Sequence, residues 1–184
     1  MPAHSGPVTA VMILLLIAGA QKIVDPSTTS GALRAAGLPG SPLLVRLLGL
    51  LEVAAGVVFL VWGGALAPVV AAILYAGFAW FVINALARKL PISSCGCLGS
   101  TETPPTMVHV FMNVSAVVVL VAGAIVPVGP LGGLIGADWS VAVPYVLLVG
   151  VSVYMLYALL TVLPLVSKKS VDASPTPVVL RSRA

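Results

Sequence analysis

Two cysteines separated by a single glycine are the residues of this chain best suited to covalent chemistry. Cys95, Gly96 and Cys97 stand in the stretch SSCGCLGS, and the chain has no other cysteine. Standard disulfide geometry is hard to reach across one residue, although the permissive backbone of glycine relieves part of the strain. A strained, accessible disulfide is typically oxidising and exchanges readily. The spacing therefore favours a dithiol that hands its disulfide to a partner or takes one from it.

Two other roles for the cysteine pair stay open. Two thiolates suit a soft ion such as Cu(I), or Hg(II) by analogy, and Met107, His109 and Met112 are close enough in sequence to add ligands. Two ligands cannot complete a tetrahedral zinc site, and a transporter would need a relay of ligands across the membrane. A structural clip is the third alternative, but closing so short a loop removes little entropy from the unfolded chain.

The composition indicates an integral membrane protein. Of the 184 residues, 60% are hydrophobic and 8% are charged, and the mean hydropathy is +1.17. Soluble domains carry about 25% charged residues, so this chain could not cover a water-exposed surface. The nine basic residues are scattered and form no patch, which argues against nucleic acid as a partner. The lipid bilayer is the first partner that the sequence predicts.

Five apolar segments are long enough to cross a bilayer, which takes roughly 20 residues. They lie at about 8–24, 43–62, 65–87, 107–126 and 141–166. We therefore predict an all-α, polytopic membrane helix bundle, with Gly63 and Gly64 making a tight connection between the second and third helices. The first segment ends in IAGA, like a signal peptide, but it lacks the basic start that signal peptides have. We expect it to be retained as a helix.

The predicted spans divide the chain into three parts. Residues 1–128 form a four-helix core that carries the Cys-Gly-Cys loop at 88–106, and residues 129–166 form a loop and the fifth helix. Residues 167–184 read as a disordered basic tail, because they are rich in Ser, Pro, Lys and Arg.

The basic residues fall on one side of this arrangement. They are Lys22, Arg34, Arg46, Arg88, Lys89, Lys168, Lys169, Arg181 and Arg183. Lysine and arginine in short loops mark the cytoplasmic side. The charge pattern therefore predicts that the amino terminus is outside and that the Cys-Gly-Cys loop faces the cytoplasm.

The strongly polar residues of the first four spans fall in the half of the membrane that also holds the cysteines. Odd-numbered spans end there and even-numbered spans begin there, which places in that half Gln21, Lys22, Glu52, Asn84, His109 and Asn113. The opposite half is almost entirely Val, Leu, Ala and Gly. We therefore predict a polar pocket beneath the Cys-Gly-Cys loop.

Glu52 is the most costly of these residues to bury. An acidic side chain at the centre of a membrane helix costs roughly 2.5–3.5 kcal/mol on insertion scales, so it should be neutral, paired or facing a cavity. Arg46 precedes it by six residues, on the wrong face of the same helix. Lys22 or Asn84 from a neighbouring helix is the better partner. A proton-transfer role and a purely structural pair are both open.

The other polar residues have structural and functional interpretations side by side. Asn84 and Asn113 are typical of hydrogen bonds between membrane helices. His109 either tunes a thiol and relays a proton or lies at the membrane interface. Arg88 and Lys89 set the topology, and their charge also favours a nearby thiolate.

The order of several motifs resembles a known family. GAQKIVDP ends the first span, LLEVAAG lies in the second, and CGCLG follows the third, before an asparagine in the fourth. Over roughly residues 8–128 this is similar to the methylamine-utilisation MauE family of the MauE/DoxX redox-associated membrane proteins. The resemblance implies a multi-pass bacterial inner-membrane protein with a four-helix core. It also implies maturation of the disulfide-rich small subunit of methylamine dehydrogenase, beside a thioredoxin-like partner.

By the same resemblance, Cys95 and Cys97 are the redox pair, and Glu52 and Asn113 fall on family-like positions. The chain departs from the pattern at Met112, where an arginine is expected, and in its fifth helix and tail. A general thiol–disulfide role is therefore the safer expectation, and the sequence leaves open whether the protein is itself an oxidoreductase.

The sidedness and the electron balance add two further expectations. Periplasmic disulfide formation would want the cysteines outside, whereas the charge pattern puts their loop inside. No cofactor is called for by the residues themselves. However, one dithiol cannot pass electrons across a membrane unaided, and it would need a quinone, a moving loop or a second dithiol protein.

Overall fold

The structure is a computed structural model that describes residues 4–90, 92, 104–134 and 137–161. These residues contain six α-helices and one short 3₁₀ turn, with no strand among them. The helices are α1 (Ser5–Val24), α2 (Ser27–Ala35), α3 (Pro42–Trp62), α4 (Leu66–Ala87), α5 (Met107–Ile125) and α6 (Trp139–Thr161), and the 3₁₀ turn is Leu131–Leu134. Five of them, all except α2, are long and apolar enough to span a membrane. The predicted helical bundle with five spans is confirmed.

Two predicted features lie outside the described residues. The cysteine pair, with Gly96, falls in residues 93–103, and the predicted basic tail falls in residues 162–184.

Proline and glycine mark the ends of α3. Pro42 occupies the first turn, where its missing N–H leaves no hydrogen bond unmade. At the other end Gly63 and Gly64 have φ of 67° and 84°, a region that glycine enters without strain. A Cβ on Gly63 would lie 2.5 Å from the carbonyl oxygen of Val128, and the Gly64 N–H donates to that oxygen at 3.0 Å. The predicted tight connection is confirmed, and it is tied to the segment after α5.

Helix α1 is the centre of the bundle. It packs most extensively against α3 and also contacts α4, α5 and α6. Its fully buried side chains Val8, Met12 and Leu15 share an apolar core with Phe59 of α3 and Leu120 of α5. Helix α6 packs mainly on α1, and few of its residues are buried.

The short helix α2 lies between the first two predicted spans, where no helix is predicted from the sequence. Asp25 introduces it, because its Oδ1 accepts a hydrogen bond from the Ser27 amide at 3.0 Å. This bond and one from the Ser27 hydroxyl lower the pKa of Asp25 below its ordinary value. On the inner face of α2, Ala32 packs against Ala85 of α4 and against Ile92. Helix α2 therefore sits at the end of the bundle where α1 and α4 end.

Candidate functional site

The site begins with a close approach of α1 and α3. A Cβ on Gly19 would lie 2.7 Å from the carbonyl oxygen of Gly49 and 2.7 Å from Cβ of Glu52. A Cβ on Gly49 would in turn lie 2.6 Å from the carbonyl oxygen of Gly19. Only glycine at both positions lets the two backbones touch, a device common between membrane helices. This contact brings the next turn of α1 directly beside Glu52.

Lys22 in that turn forms an ion pair with Glu52. Lys22 Nζ lies 2.9 Å from Glu52 Oε2, and the two side chains are 1% and 0% exposed. Lys22 Nζ also lies 5.1 Å from the ring centroid of Phe78 in α4, within the range of a cation–π interaction. The partner predicted for Glu52 from a neighbouring helix is therefore Lys22. Phe78 was missed, because an aromatic residue in an apolar span gives no sequence signal of its own.

One carboxylate oxygen of the pair has no hydrogen-bond partner within the described part of the chain. Glu52 Oε1 is buried there without a donor, while Oε2 accepts from Lys22. A buried ion pair balances its desolvation only when the remaining lone pairs are also satisfied. The free oxygen therefore leaves the ion pair only partly compensated within the described part of the chain.

His109 lies at the start of α5 and is fully buried. Thr106 and His109 form a capping box, in which the Thr106 amide donates to His109 Nδ1 at 3.3 Å. Because Nδ1 accepts this bond, the neutral ring carries its proton on Nε2. His109 Nε2 is buried and has no partner among the described residues. The structure thus places the histidine ring inside the bundle, with Nε2 buried.

Polar atoms without a described partner share one end of the bundle. Within the residues that the structure describes they are Gln21 Oε1, Ser30 Oγ, Glu52 Oε1 and His109 Nε2. They come from four different helices, at the end where α4 finishes and α5 begins. Buried polar groups are expensive in a membrane unless they are paired. This end therefore carries unused hydrogen-bonding capacity, in the half that the sequence predicted to be polar. Ser30 was missed because its segment was treated as a loop.

The two asparagines bond to their own helices in the described structure. Asn84 Nδ2 donates to the Trp80 carbonyl at 2.8 Å, and Asn113 Nδ2 donates to the His109 carbonyl at 2.8 Å. Asn84 is half-buried and Asn113 is buried. These bonds do not join neighbouring helices, so the interpretation of both residues as interhelical contacts stays a prediction.

The residues nearest to the cysteines in sequence frame the connection between α4 and α5. Arg88 and Lys89 follow α4 and are exposed, and Lys89 has a φ of 49°. Ile92 is buried against α2 and α4. At the other end of the connection, Thr106 caps α5. Every described lysine and arginine belongs to this end of the bundle, including Lys22, Arg34 and Arg46 near the ends of their helices.

Together, five apolar spans and a buried lysine–glutamate pair at the charged end define a multi-pass helical membrane protein. The chain belongs to the MauE family: the family described as methylamine utilisation protein MauE matches residues 6–128. The match covers α1 to α5 and stops before the 3₁₀ turn and α6. No curated protein and no solved structure matches the chain.

Proposed function

We propose that this protein exchanges disulfides with a partner protein through Cys95 and Cys97. The observation that carries the proposal is the Cys-Gly-Cys spacing in the connection between α4 and α5, the two helices that meet at the charged end. The resemblance to the MauE family, to which the chain belongs, implies a role beside a disulfide-bearing protein. The partner is a thioredoxin-like protein or a disulfide-rich substrate. The family description names methylamine utilisation, and the resemblance in the sequence implies maturation of methylamine dehydrogenase as the form of this exchange.

The reaction has two steps in the direction that reduces the partner. The thiolate of one cysteine attacks a sulfur of the partner disulfide, which forms a mixed disulfide and releases one partner thiolate. The second cysteine attacks the mixed disulfide, forms the Cys95–Cys97 bond and releases the other partner thiolate. Two electrons pass from the pair to the partner, and the reverse sequence oxidises the partner.

The polar groups at this end serve the proton and charge changes of the exchange. Arg88 and Lys89 lie in the sequence between the end of α4 and the cysteines. Positive charge near a cysteine favours its thiolate over its thiol. Glu52 Oε1 and His109 Nε2 are the buried acceptor and donor that move protons as the thiols ionise. Lys22 keeps Glu52 paired through its other oxygen.

Trapping of the mixed disulfide tests the exchange. Cys95→Ser and Cys97→Ser are each incubated with a purified thioredoxin-like protein and run on non-reducing gels. We expect one single variant to accumulate a reducible covalent complex, because its resolving thiol is missing. The double variant and Ser94→Ala are the matched controls: the first forms no complex, and the second behaves like the unchanged protein. If neither single variant captures a partner, and the double variant instead loses stoichiometric Cu(I) or Hg(II) binding, the pair is a soft-metal site.

The sidedness of the cysteines is a separate part of the proposal. The charged end carries the described lysines and arginines, which favours an inner-membrane orientation with the Cys-Gly-Cys segment towards the cytoplasm. Labelling with a membrane-impermeant maleimide in intact cells should therefore be weak, and it should become strong after the membrane is opened. Strong labelling in intact cells would show that the Cys-Gly-Cys segment faces the outside of the membrane.

A further inference from the structure

A cavity of about 310 Å³ adjoins the ion pair. It lies between α2, α3 and α4, and Lys22 of α1 lines it together with Phe78, whose ring Lys22 Nζ approaches to 5.1 Å. The rest of its wall is almost wholly apolar and includes Leu33 of α2 and Leu48 of α3. A cationic side chain at the wall of an apolar cavity suits a ligand that combines a polar atom with an apolar body.

The α4 wall of the cavity is rich in aromatic side chains. One face of that helix supplies Gly77 and the aromatic side chains Phe78, Trp80 and Phe81. Aromatic walls favour planar ligands, which pack face to face or edge to face against them. A Cβ on Gly77 would meet no atom within 4 Å, so the glycine leaves space that a ring can use.

The same cavity opens towards the membrane. Its lining residues Ile73 and Trp80 are 67% and 58% exposed, and both lie within the apolar span α4. In a bilayer these surfaces face lipid. A ligand held here would therefore enter from the hydrocarbon phase, with its ring towards Lys22 and any apolar tail towards the lipid.

We propose that this cavity binds the ring of a membrane quinone. The inference rests on the proposed function in its reverse direction, in which thiols of the partner reduce the Cys95–Cys97 disulfide and the resulting dithiol needs an electron acceptor to form the disulfide again. The reaction balances as dithiol plus quinone giving disulfide plus hydroquinone: the two sulfurs lose two electrons and two protons as their bond forms, and the ring gains both. Lys22 donates to a ring carbonyl oxygen, and Glu52, its ion-pair partner, supplies or receives the proton beside it.

A cavity-filling substitution tests the binding without disturbing the bundle. Gly77→Leu places its side chain in the space beside Trp80, and the matched control Gly150→Leu adds the same side chain on α6, where a Cβ also meets nothing within 4 Å. The full chain in phospholipid nanodiscs is titrated with ubiquinone-1, and quenching of tryptophan fluorescence is recorded. We expect saturable quenching in the unchanged protein and in Gly150→Leu. In Gly77→Leu we expect Kd to rise about tenfold or more.

Further outcomes of the same titration decide the inference. Trp80→Phe should remove most of the saturable quenching, since the chain's other tryptophans, Trp62 and Trp139, lie outside the cavity lining. Equal competition by decanol, which has an alkyl chain and no ring, would make the cavity a groove for lipid tails and would overturn the proposal. Unsaturable quenching, or equal affinity in Gly77→Leu, would overturn it as well.

The cysteine variants separate this inference from the proposed function. The Cys95→Ser/Cys97→Ser double variant should bind ubiquinone-1 with unchanged Kd, whereas only the dithiol form of the unchanged protein should reduce it to the hydroquinone. Saturable binding without reduction would support the quinone site and would show that the cysteines do not supply its electrons. Mixed-disulfide trapping without saturable binding would leave the exchange standing and remove the quinone site.

Discussion

The two ends of α1 are each tied to a neighbouring helix by buried polar side chains, but in different ways. Near the amino-terminal end, Thr9 Oγ1 lies 2.8 Å from the hydroxyl of Tyr145 in α6. Near the carboxyl-terminal end, Lys22 Nζ lies 2.9 Å from Glu52 of α3. Thr9, Lys22 and Glu52 are all fully buried. One connection is neutral and the other is charged.

The neutral connection satisfies its own groups. The Tyr145 hydroxyl donates to the Ser5 carbonyl at 3.3 Å in addition to its bond with Thr9. The charged connection leaves Glu52 Oε1 without a partner among the described residues. Hydroxyl groups can join membrane helices at a small desolvation cost. Burying a charged side chain in a membrane costs much more free energy, and such residues are usually functional. From this comparison we expect Thr9 and Tyr145 to hold helices together, and Lys22 and Glu52 to take part in the proposed exchange.

Removing one charge of the ion pair should have the largest effect on the free energy of unfolding. Lys22→Met leaves a buried carboxylate without its partner, which costs about 3–5 kcal/mol in comparable sites. The double variant Lys22→Met/Glu52→Met buries two apolar side chains instead and should recover most of that loss. The free energy of unfolding in detergent measures both effects, with the exposed Arg88→Gln as control.

The same variants separate stability from function. If the pair serves chemistry, the double variant should be folded and stable but should no longer exchange disulfides at the normal rate. A double variant with normal exchange would make the pair structural. If the double variant is as unstable as Lys22→Met alone, the attraction between the two charges stabilises the packing of α1 on α3. The instability of Lys22→Met would then not come from the unpaired carboxylate.

The ion pair was predictable from the sequence because few polar residues share one half of the membrane. Alternating helix direction brings the end of the first span to the beginning of the second, which made Lys22 one of two candidate partners for Glu52, beside Asn84. The structure selects Lys22. The glycines that allow α1 and α3 to approach each other are harder to predict, because glycine is common throughout the chain. Gly19 and Gly49 matter only through the crossing of α1 and α3, which is a tertiary property.

Helix α2 and the neutral connection could not have been predicted in the same way. The sequence of α2, STTSGALRA, is short and not strongly apolar, although it is more amphipathic than the membrane spans. The packing of Ala32 on Ala85 and Ile92 holds it in place. Thr9 and Tyr145 are far apart in the chain, and hydroxyl groups occur on many membrane helices without a defined partner. Both features depend on which helices become neighbours, and the local sequence does not specify that.

Breaking the neutral connection should have a smaller effect. Thr9→Val keeps the shape of the side chain and removes its hydroxyl, while Tyr145 retains its bond to the Ser5 carbonyl. Hydrogen bonds between membrane helices average about 0.6 kcal/mol, so the loss in unfolding free energy should be of that order. Disulfide exchange should be unchanged. A loss as large as that of Lys22→Met, or a loss of exchange in the folded protein, would remove the distinction between the two ends.

We expect the smallest effect from Asp25, because this charge lies at the same end of the bundle as the ion pair but outside the buried interior. Its hydrogen bonds with Ser27 lower its pKa below the usual value of about 3.9. A group with a lowered folded-state pKa stabilises the fold above its unfolded pKa, and this contribution is lost as pH falls through the folded value. Amide protection in α2, corrected for intrinsic exchange, should therefore decrease below about pH 4 in the unchanged protein. Asp25→Asn keeps an acceptor for the Ser27 amide but does not titrate, so its protection should vary less over this range. An identical pH dependence in Asp25→Asn would assign the titration to another group, whereas a flat profile in Asp25→Asn would assign it to Asp25.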